Sequence, residues 1–453
     1  MQRTWLLRAC TLGLWALLAG VAPAPAQAIP PGYAEATRDT MTISLAEAHR
    51  RALAENPDFL AERQDLASAR GELRQARVYS FNPELELHAP GVSEQAGIGE
   101  FELTLSQEIE WAGQRRLRVR GAQRGLERAE ATVQDAARRT LAEVSTSFYE
   151  ALAAEQRLAV AREMVQLNQQ LVSVTRIQSR EGEISMMDAN LAEIEAGRAR
   201  AAEMAAERQL TSALLEFRRR VGLDPEQPVR LADEVVDAPS PLAMGVDSLI
   251  RLALTRRPDL TARTRQREEH EALALAARRE AIPNLRVGLF LEREERVVLS
   301  GESNEPVVEA GLESPRVGLG ISIPLPLFQR NQGVVDERLA EAERARLSRQ
   351  GVELTIRTEV MDAYQAFLAT SVEHHVFEED VLQPARANQR LLETALREGK
   401  VGLPTLLLLR NQLLDAELSH WDSWLEERRA LVALGAATAT PSTDLTSSAE
   451  EAR

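Results

Sequence analysis

The stretch Phe101 to Trp111 alternates apolar and polar residues with period two and runs straight into a long helical pattern. A second copy at Arg316 to Phe328 does the same. In the first copy Phe101, Leu103, Leu105, Ile109 and Trp111 take one face of a strand, and Glu102, Thr104, Ser106, Glu108 and Glu110 take the other. In the second, Val317, Leu319, Ile321, Ile323 and Leu325 alternate with Arg316, Gly318, Gly320, Ser322 and Pro324. Any fold must therefore put one strand face in apolar surroundings and the other in water, at the head of a long helix, twice.

Each copy has a partner strand upstream. Leu85 and Leu87 oppose Glu84, Glu86 and His88, and Leu285, Val287, Leu289 and Leu291 form a similar stripe. Two hairpins are expected, at about 84–111 and 284–327. Between Leu126 and Glu181 there is no Gly or Pro, and Ala137, Leu141, Val144, Phe148 and Ala151 step by four and three, as in a coiled coil. That segment alone extends about 84 Å at 1.5 Å per residue.

The long helix turns at Arg180-Glu-Gly-Glu, and Arg397-Glu-Gly-Lys repeats the turn 217 residues later. Asn56-Pro57 is answered by Arg257-Pro258. The chain is thus a tandem duplication, each half reading helix, strand, strand, long helix, turn, helix. The halves span 29–245, with an irregular arm at 29–41, a tip at 180–185 and a linker at 222–245, and 246–435, with a tip at 397–403. In the second half the long helix is expected from about Gln329, with a kink at Pro384, and residues 436–453 read as a disordered tail.

Residues 1–28 carry Arg3, Arg8, an apolar run too short to span a bilayer and Ala26-Gln27-Ala28, the pattern of a secretory signal peptide. Cys10 precedes the apolar run, a poor position for lipid attachment, so no lipid anchor is expected. Without Arg3 and Arg8 the formal charge goes from -15 to -17, and no basic patch offsets it; nucleic acid is not an expected partner. The six histidines form no i, i+4 ligand pair and read as exposed helical residues. No nucleophile motif, phosphate loop, cofactor site or metal site is recognisable, and no enzymatic activity is expected.

No later segment is apolar for 18 residues, so a membrane crossing would have to use strands. Four strands cannot close a barrel, because the smallest membrane barrels need eight. Two copies would supply eight strands and three would supply twelve; polar inner faces suit the roomier, water-lined trimer. The expected fold is mainly α, with four antiparallel strands per chain, a trimeric twelve-stranded membrane barrel and a long helical barrel continuous with it. Glu102, Glu108, Glu110 and Glu292 would face the lumen and favour cations. Trp111 and Phe328, at the joints, would be membrane-interface aromatics beside lipid.

The ordered, duplicated set Asn56-Pro57, Phe81-Asn82-Pro83-Glu84-Leu85, Ser106-Gln107-Glu108-Ile109-Glu110-Trp111 with Gly113-Gln114-Arg115, Ile323-Pro324-Leu325 with Phe328, and the two Arg-Glu-Gly turns resembles the TolC family of outer-membrane efflux proteins over essentially the whole mature chain. The Gln-Glu-Ile-Glu-Trp joint resembles most the CzcC and CusC branch, which serves heavy-metal resistance pumps. The resemblance implies a homotrimer in the Gram-negative outer membrane that reaches into the periplasm. It also implies a periplasmic adaptor (membrane fusion protein) and an inner-membrane pump of the RND type. It places Asp188 and Thr405 at the periplasmic entrance, and Arg180, Gly182, Arg397 and Gly399 at adaptor-docking tips. A first-turn acid stabilising its helix is the competing reading of Asp188.

The function these features point to is a passive exit duct, for heavy-metal cations on this resemblance. A duct for drugs or secreted polypeptide is the alternative, and a periplasmic coiled-coil adaptor or structural rod is a third reading that four bilayer-length apolar stripes disfavour.

Overall fold

The computed structural model describes residues 41–88, 101–232, 242, 244–293, 315–397, 402–441 and 445. The signal peptide, the two hairpin loops, part of the linker and most of the tail lie outside them. The elements in order are β1 (Met41–Ile43), α1 (Leu45–Glu55), α2 (Pro57–Arg77), β2 (Glu84–His88), β3 (Phe101–Ile109), α3 (Gln114–Glu181), α4 (Met186–Val221) and β4 (Val229–Leu231). The second half supplies α5 (Val246–Arg256), α6 (Pro258–Glu280), β5 (Leu285–Arg293), β6 (Arg316–Ser322), α7 (Gln332–Val376), a π-helical turn (Phe377–Leu382), α8 (Gln383–Arg397) and α9 (Leu403–Thr438).

The four long strands form one antiparallel sheet in the order β2-β3-β5-β6. Thus the two hairpins, one from each repeat, pair through β3 and β5, from Phe101 opposite Arg293 to Ile109 opposite Leu285. The helices attached to these strands keep the same order: α2 packs on α3, α3 on α6 and α6 on α7. α3 alone has 68 residues, about 102 Å of rod at 1.5 Å per residue. Sheet and helical layer are one continuous wall.

Small residues let the repeats approach beneath the sheet. A methyl group on Gly121 would stand 3.0 Å from Leu273 Cδ2, and one on Gly125 would stand 3.1 Å from Glu269 Oε1. Buried Ala272 and Ala276 lie on α6 in the same contact zone. Arg128–Glu269 at 2.8 Å, Arg124–Glu268 at 3.1 Å and Arg265–Glu127 at 3.1 Å flank it.

Local capping explains the short helices. Ser44 Oγ accepts from the Glu47 backbone N–H at 3.3 Å as N-cap of α1, while the Glu47 carboxylate pairs with Arg50 and Arg51. Asn56 Oδ1 accepts from the N–H groups of Asp58 and Phe59, and its amide donates to the Arg220 carbonyl at 2.7 Å. The equivalent Arg257 cannot accept. It is buried instead between Asp259, at 2.6 Å, and Glu359.

Among the described residues the two largest cores lie below the sheet, one centred on each repeat. The first gathers Val144, Phe148, Leu152, Phe217 and Val221; the second gathers Leu249, Ile356, Val360 and Phe367. α9 serves both, sending Trp424, Leu425 and Val432 into the first and Leu431, Leu434 and Ala437 into the second.

Several expectations are corrected. The arm thought irregular ends in β1, which pairs in parallel with β4 inside the supposed linker, burying Ile43 and Leu231. β6 stops at Ser322, so Ile323 to Phe328 leaves the sheet, and α7 begins at Gln332 instead of Gln329. The irregularity expected at Pro384 is the π-helical turn just before it, where the Gln383 N–H reaches back to the Glu378 carbonyl and widens the helix ahead of the proline ring. α9 runs to Thr438, and Leu445 is buried in the second core, so the chain beyond Gly435 is not a disordered tail throughout.

Candidate conduit wall and its joints

One sheet face is a grid of leucines. Leu85, Leu105, Leu289 and Leu319 form one row across all four strands, and Leu87, Leu103, Leu291 and Val317 form the next. The rows stay open: Leu319 is 67% exposed and Leu85 68%. A contiguous apolar face of this kind marks a surface covered by lipid or protein. Gln107 falls on the same face by parity, and its amide is turned onto the carbonyls of Phe81 and Glu108, at 3.0 and 2.9 Å.

The opposite face carries Glu84, Glu86, His88, Glu102, Glu108, Arg286, Glu292 and Arg316. Five glutamates against two arginines leave it acidic, but its charges are partly matched. Arg286 reaches Glu84 at 3.1 Å and Glu108 at 3.6 Å, and Asn284 donates to Glu108 at 2.8 Å. Glu102 accepts from Thr104 at 3.1 Å, and Glu292 is paired in register with Arg316. Glu110 is a correction. It lies beyond the end of β3 with its side chain buried, bound by both Arg118 guanidinium nitrogens at 2.6 and 3.1 Å, and it is not a free charge on this face.

Phe290 also belongs to this face and was not anticipated. Its ring lies over Gly318, where an added Cβ would come within 2.2 Å of the ring. Glycine opposite an aromatic was the available sequence signal.

The strand-to-helix joint explains the Gln-Glu-Ile-Glu-Trp and Gly-Gln-Arg residues. Gly113 takes φ 79°, and Gln114, almost fully buried, accepts from the Ala112 N–H at 3.0 Å while donating to Asn284 Oδ1 at 3.0 Å and the Ile282 carbonyl at 3.4 Å. Tyr79 donates its hydroxyl to the Glu108 carbonyl and accepts from the Glu110 N–H, both at 3.0 Å. Trp111 donates from Nε1 to the Pro283 carbonyl at 2.9 Å.

The second joint repeats the first at Asn331, φ 61°, and Gln332, whose Oε1 accepts from the Arg330 N–H at 2.8 Å. This register sets Gln329, not Phe328, opposite Trp111. Phe328 is 91% exposed on the segment after β6.

At the far end, Gly182 closes α3 with paired bonds, Gly182 N–H to the Ser179 carbonyl and Glu183 N–H to the Gln178 carbonyl, leaving Arg180 exposed in the last turn. Asp188 sits in the first turn of α4. Its N–H donates to Ser185 Oγ at 3.1 Å and its carboxylate accepts from that hydroxyl at 2.7 Å. Thr405 is exposed in the first turn of α9, and Arg397 ends α8; Gly399 lies outside the described residues. Asp188 and Thr405 both occupy helix starts, as the duplication requires.

Among the described residues no group of three or more His, Cys, Asp or Glu side chains could hold a metal ion, and no helix is long and apolar enough to cross a membrane.

Over 330 residues the chain is 25% identical to the cobalt-zinc-cadmium resistance protein CzcC of Cupriavidus metallidurans, spanning 70% of this chain and 74% of CzcC. Its fold matches the CmeC outer membrane channel of Campylobacter jejuni with TM-score 0.71 at 16% identity, over 87% of this chain and 85% of CmeC. It matches CusC, a protein that forms a transmembrane channel, with TM-score 0.70 at 16% identity, over 88% and 93% of the two chains. Residues 48–223 and 249–440 match the outer membrane efflux protein family, and with a duplicated wall of this build the chain belongs to that TolC family.

Proposed function

We propose that this outer membrane efflux protein is the exit duct of a three-component efflux system, built from three copies around one axis. The observation that carries the reading is the shared order of strands and helices. β2 and α2 form one edge of the wall, β6 and α7 the other, and within the chain each edge strand is paired on one side only. Joining edge to edge extends both layers together. Three copies would close twelve strands, with the leucine grid toward lipid and the acidic face toward water.

α7 supports this with a second seam. Leu347, Leu354, Met361 and Leu368 recur every seven residues and are exposed, on the side opposite Ala345, Val352, Ile356 and Val360, which face the protein. A helix with two opposed apolar seams packs between two neighbours.

Heavy-metal cations are the proposed cargo, supported by the similarity to a cobalt-zinc-cadmium resistance protein and by the net acidity of the polar sheet face. Arg180, Gly182, Arg397 and Gly399 would then meet an adaptor joined to an inner-membrane pump. Three copies of Asp188 would add negative charge at the periplasmic entrance, with Thr405 contributing none. Trp111 would sit at the membrane interface.

Cellular zinc, cobalt, nickel and copper should be measured after sublethal exposure in a deletion strain and in the same strain complemented. Accumulation of one or more metals only in the deletion supports the metal duct. Unchanged metals with restored drug or polypeptide export on complementation would move the cargo, not the architecture.

A further inference from the structure

At the crossing of α7 and α9, below the α6–α7 contact, two imidazoles lie packed against each other. His374, in the last turn of α7, is 4% exposed, and its ring stands 5.1 Å from that of His420 on α9, tilted by 32°. Ser423 donates its hydroxyl proton to the His420 carbonyl at 2.9 Å, so the His374 Nδ1 that lies 3.1 Å from Ser423 Oγ must be the N–H donor. The free position on that ring is Nε2. His420 meets Trp421 edge-on at 5.4 Å, Trp421 meets Trp424 at 5.6 Å, and the Arg428 guanidinium covers Trp424 at 5.4 Å.

Two further features mark the place. The α-helical ladder of α7 breaks into the π-helical turn Phe377–Leu382 three residues after His374. Such single π-helical turns inside α-helices occur frequently at functional sites. Glu427 is 1% exposed with one carboxylate oxygen lacking a hydrogen-bond partner among the described residues, and His420 Nδ1 is likewise buried without one.

We propose that the His374–His420 contact is a proton-sensitive joint. Neutral rings hold α7 against α9, and acidification loads positive charge onto both and loosens the π-helical turn and the segment of α9 facing it.

The groups around the rings carry both signs. α7 adds His375, which pairs outward with Glu379 at 3.4 Å, and the π-helical turn adds Glu378. α8 brings Arg386, which pairs with Glu417 at 3.5 Å; α9 brings Glu417, Glu427 and Arg428; α3 brings Glu163 near Glu417, and Arg157, paired with Asp422. Arg428 acts against a proton on His374 and Arg386 against one on His420, while Glu378 favours a proton on both.

Burial pushes both imidazoles below the usual histidine range, with His420 adding to the effect at His374. Their stabilising contribution is present above the ordinary histidine value, about 6.5, and is lost as pH falls below it. Burial pushes the Glu417 and Glu427 carboxyls up, and their contribution runs the other way, gaining as pH falls. The test must therefore isolate the imidazoles.

Hydrogen exchange of the purified full chain in detergent, read by mass spectrometry at pH 7.5 and 5.5 with intrinsic rates corrected, does so when wild type is compared with His374→Gln/His420→Gln. In wild type, protection of peptides covering 371–386 and 416–428 should fall by about threefold or more beyond the fall in the variant. Should the double variant not fold, His420→Gln alone should show a smaller fall than wild type. Equal falls, or none in wild type, overturn the joint. The proposal rests on the duct reading only for placing this crossing in the periplasm; exchange needs no transport, so either reading can fail without the other.

Discussion

Trp111 donates its indole N–H to the Pro283 carbonyl at 2.9 Å, tying the joint of the first repeat to the strand entrance of the second across 172 residues of sequence. Beside it, Gln114 makes the same connection from inside the wall, to Ile282 and Asn284. Trp111→Phe keeps the ring and removes the donor, and should lower stability by about 0.5–1.5 kcal/mol. Gln114→Ala removes a buried side chain from three half-buried partners and should cost more, about 2–4 kcal/mol. Thermal unfolding in detergent, followed by circular dichroism, would rank the two; the reverse order would contradict the joint described.

Gly222 closes α4 at φ 87°, and a Cβ there would stand 2.7 Å from the backbone of Glu55. Gly222→Ala should cost about 3 kcal/mol or more, because strain and clash act together. Gly197, inside α4 with open space around it, is the control: Gly197→Ala should stabilise by about 0.5–1 kcal/mol. Unfolding midpoints of the pair should therefore move in opposite directions.

Hydrogen bonds from Arg219 and Arg220 hold the Glu216 carboxyl down at about 2. A depressed carboxyl stabilises the fold above its ordinary value and loses that contribution as pH falls toward 2. The group is well exposed, so screening keeps the effect below about 1 kcal/mol. Glu216→Gln should lower the unfolding temperature slightly at pH 7 and leave it unchanged near pH 2. A loss that persists in acid would mean packing, not charge, carries the contribution.

On the outer seam of α7, Leu354 and Met361 contribute nothing to the core of their own chain. If three copies assemble as proposed, Leu354→Glu/Met361→Glu should preserve helical content while shifting the detergent-extracted protein from trimer to monomer by native mass spectrometry. A retained trimer would mean this seam is not the contact between copies.

The repeat, the two hairpins, the turns at Gly182 and the long helices were legible because each rests on local periodicity or on a residue with its own backbone preference. What was not legible depends on partners distant in sequence. β1 and β4 have three residues each and exist because Ile43 and Leu231 bury together. Glu110 reads as one more polar strand residue until Arg118 folds back from the next helix. His374 looks like any helical histidine, and only α9 packed across it covers the ring. The position held by Asn56 in one repeat and Arg257 in the other shows the limit: one site is capped by a hydrogen-bond acceptor and the other by a buried ion pair, and only the second needs Glu359, a hundred residues away.

α9, though it belongs to the second repeat, furnishes Trp424 and Leu425 to the core around Phe148 and Leu152. A lone first half would leave that aromatic nest uncovered, because α4 supplies only Phe217 and Val221 to its buried set. The first repeat therefore does not complete its own core, and the two halves fold as one cooperative unit instead of two separable modules.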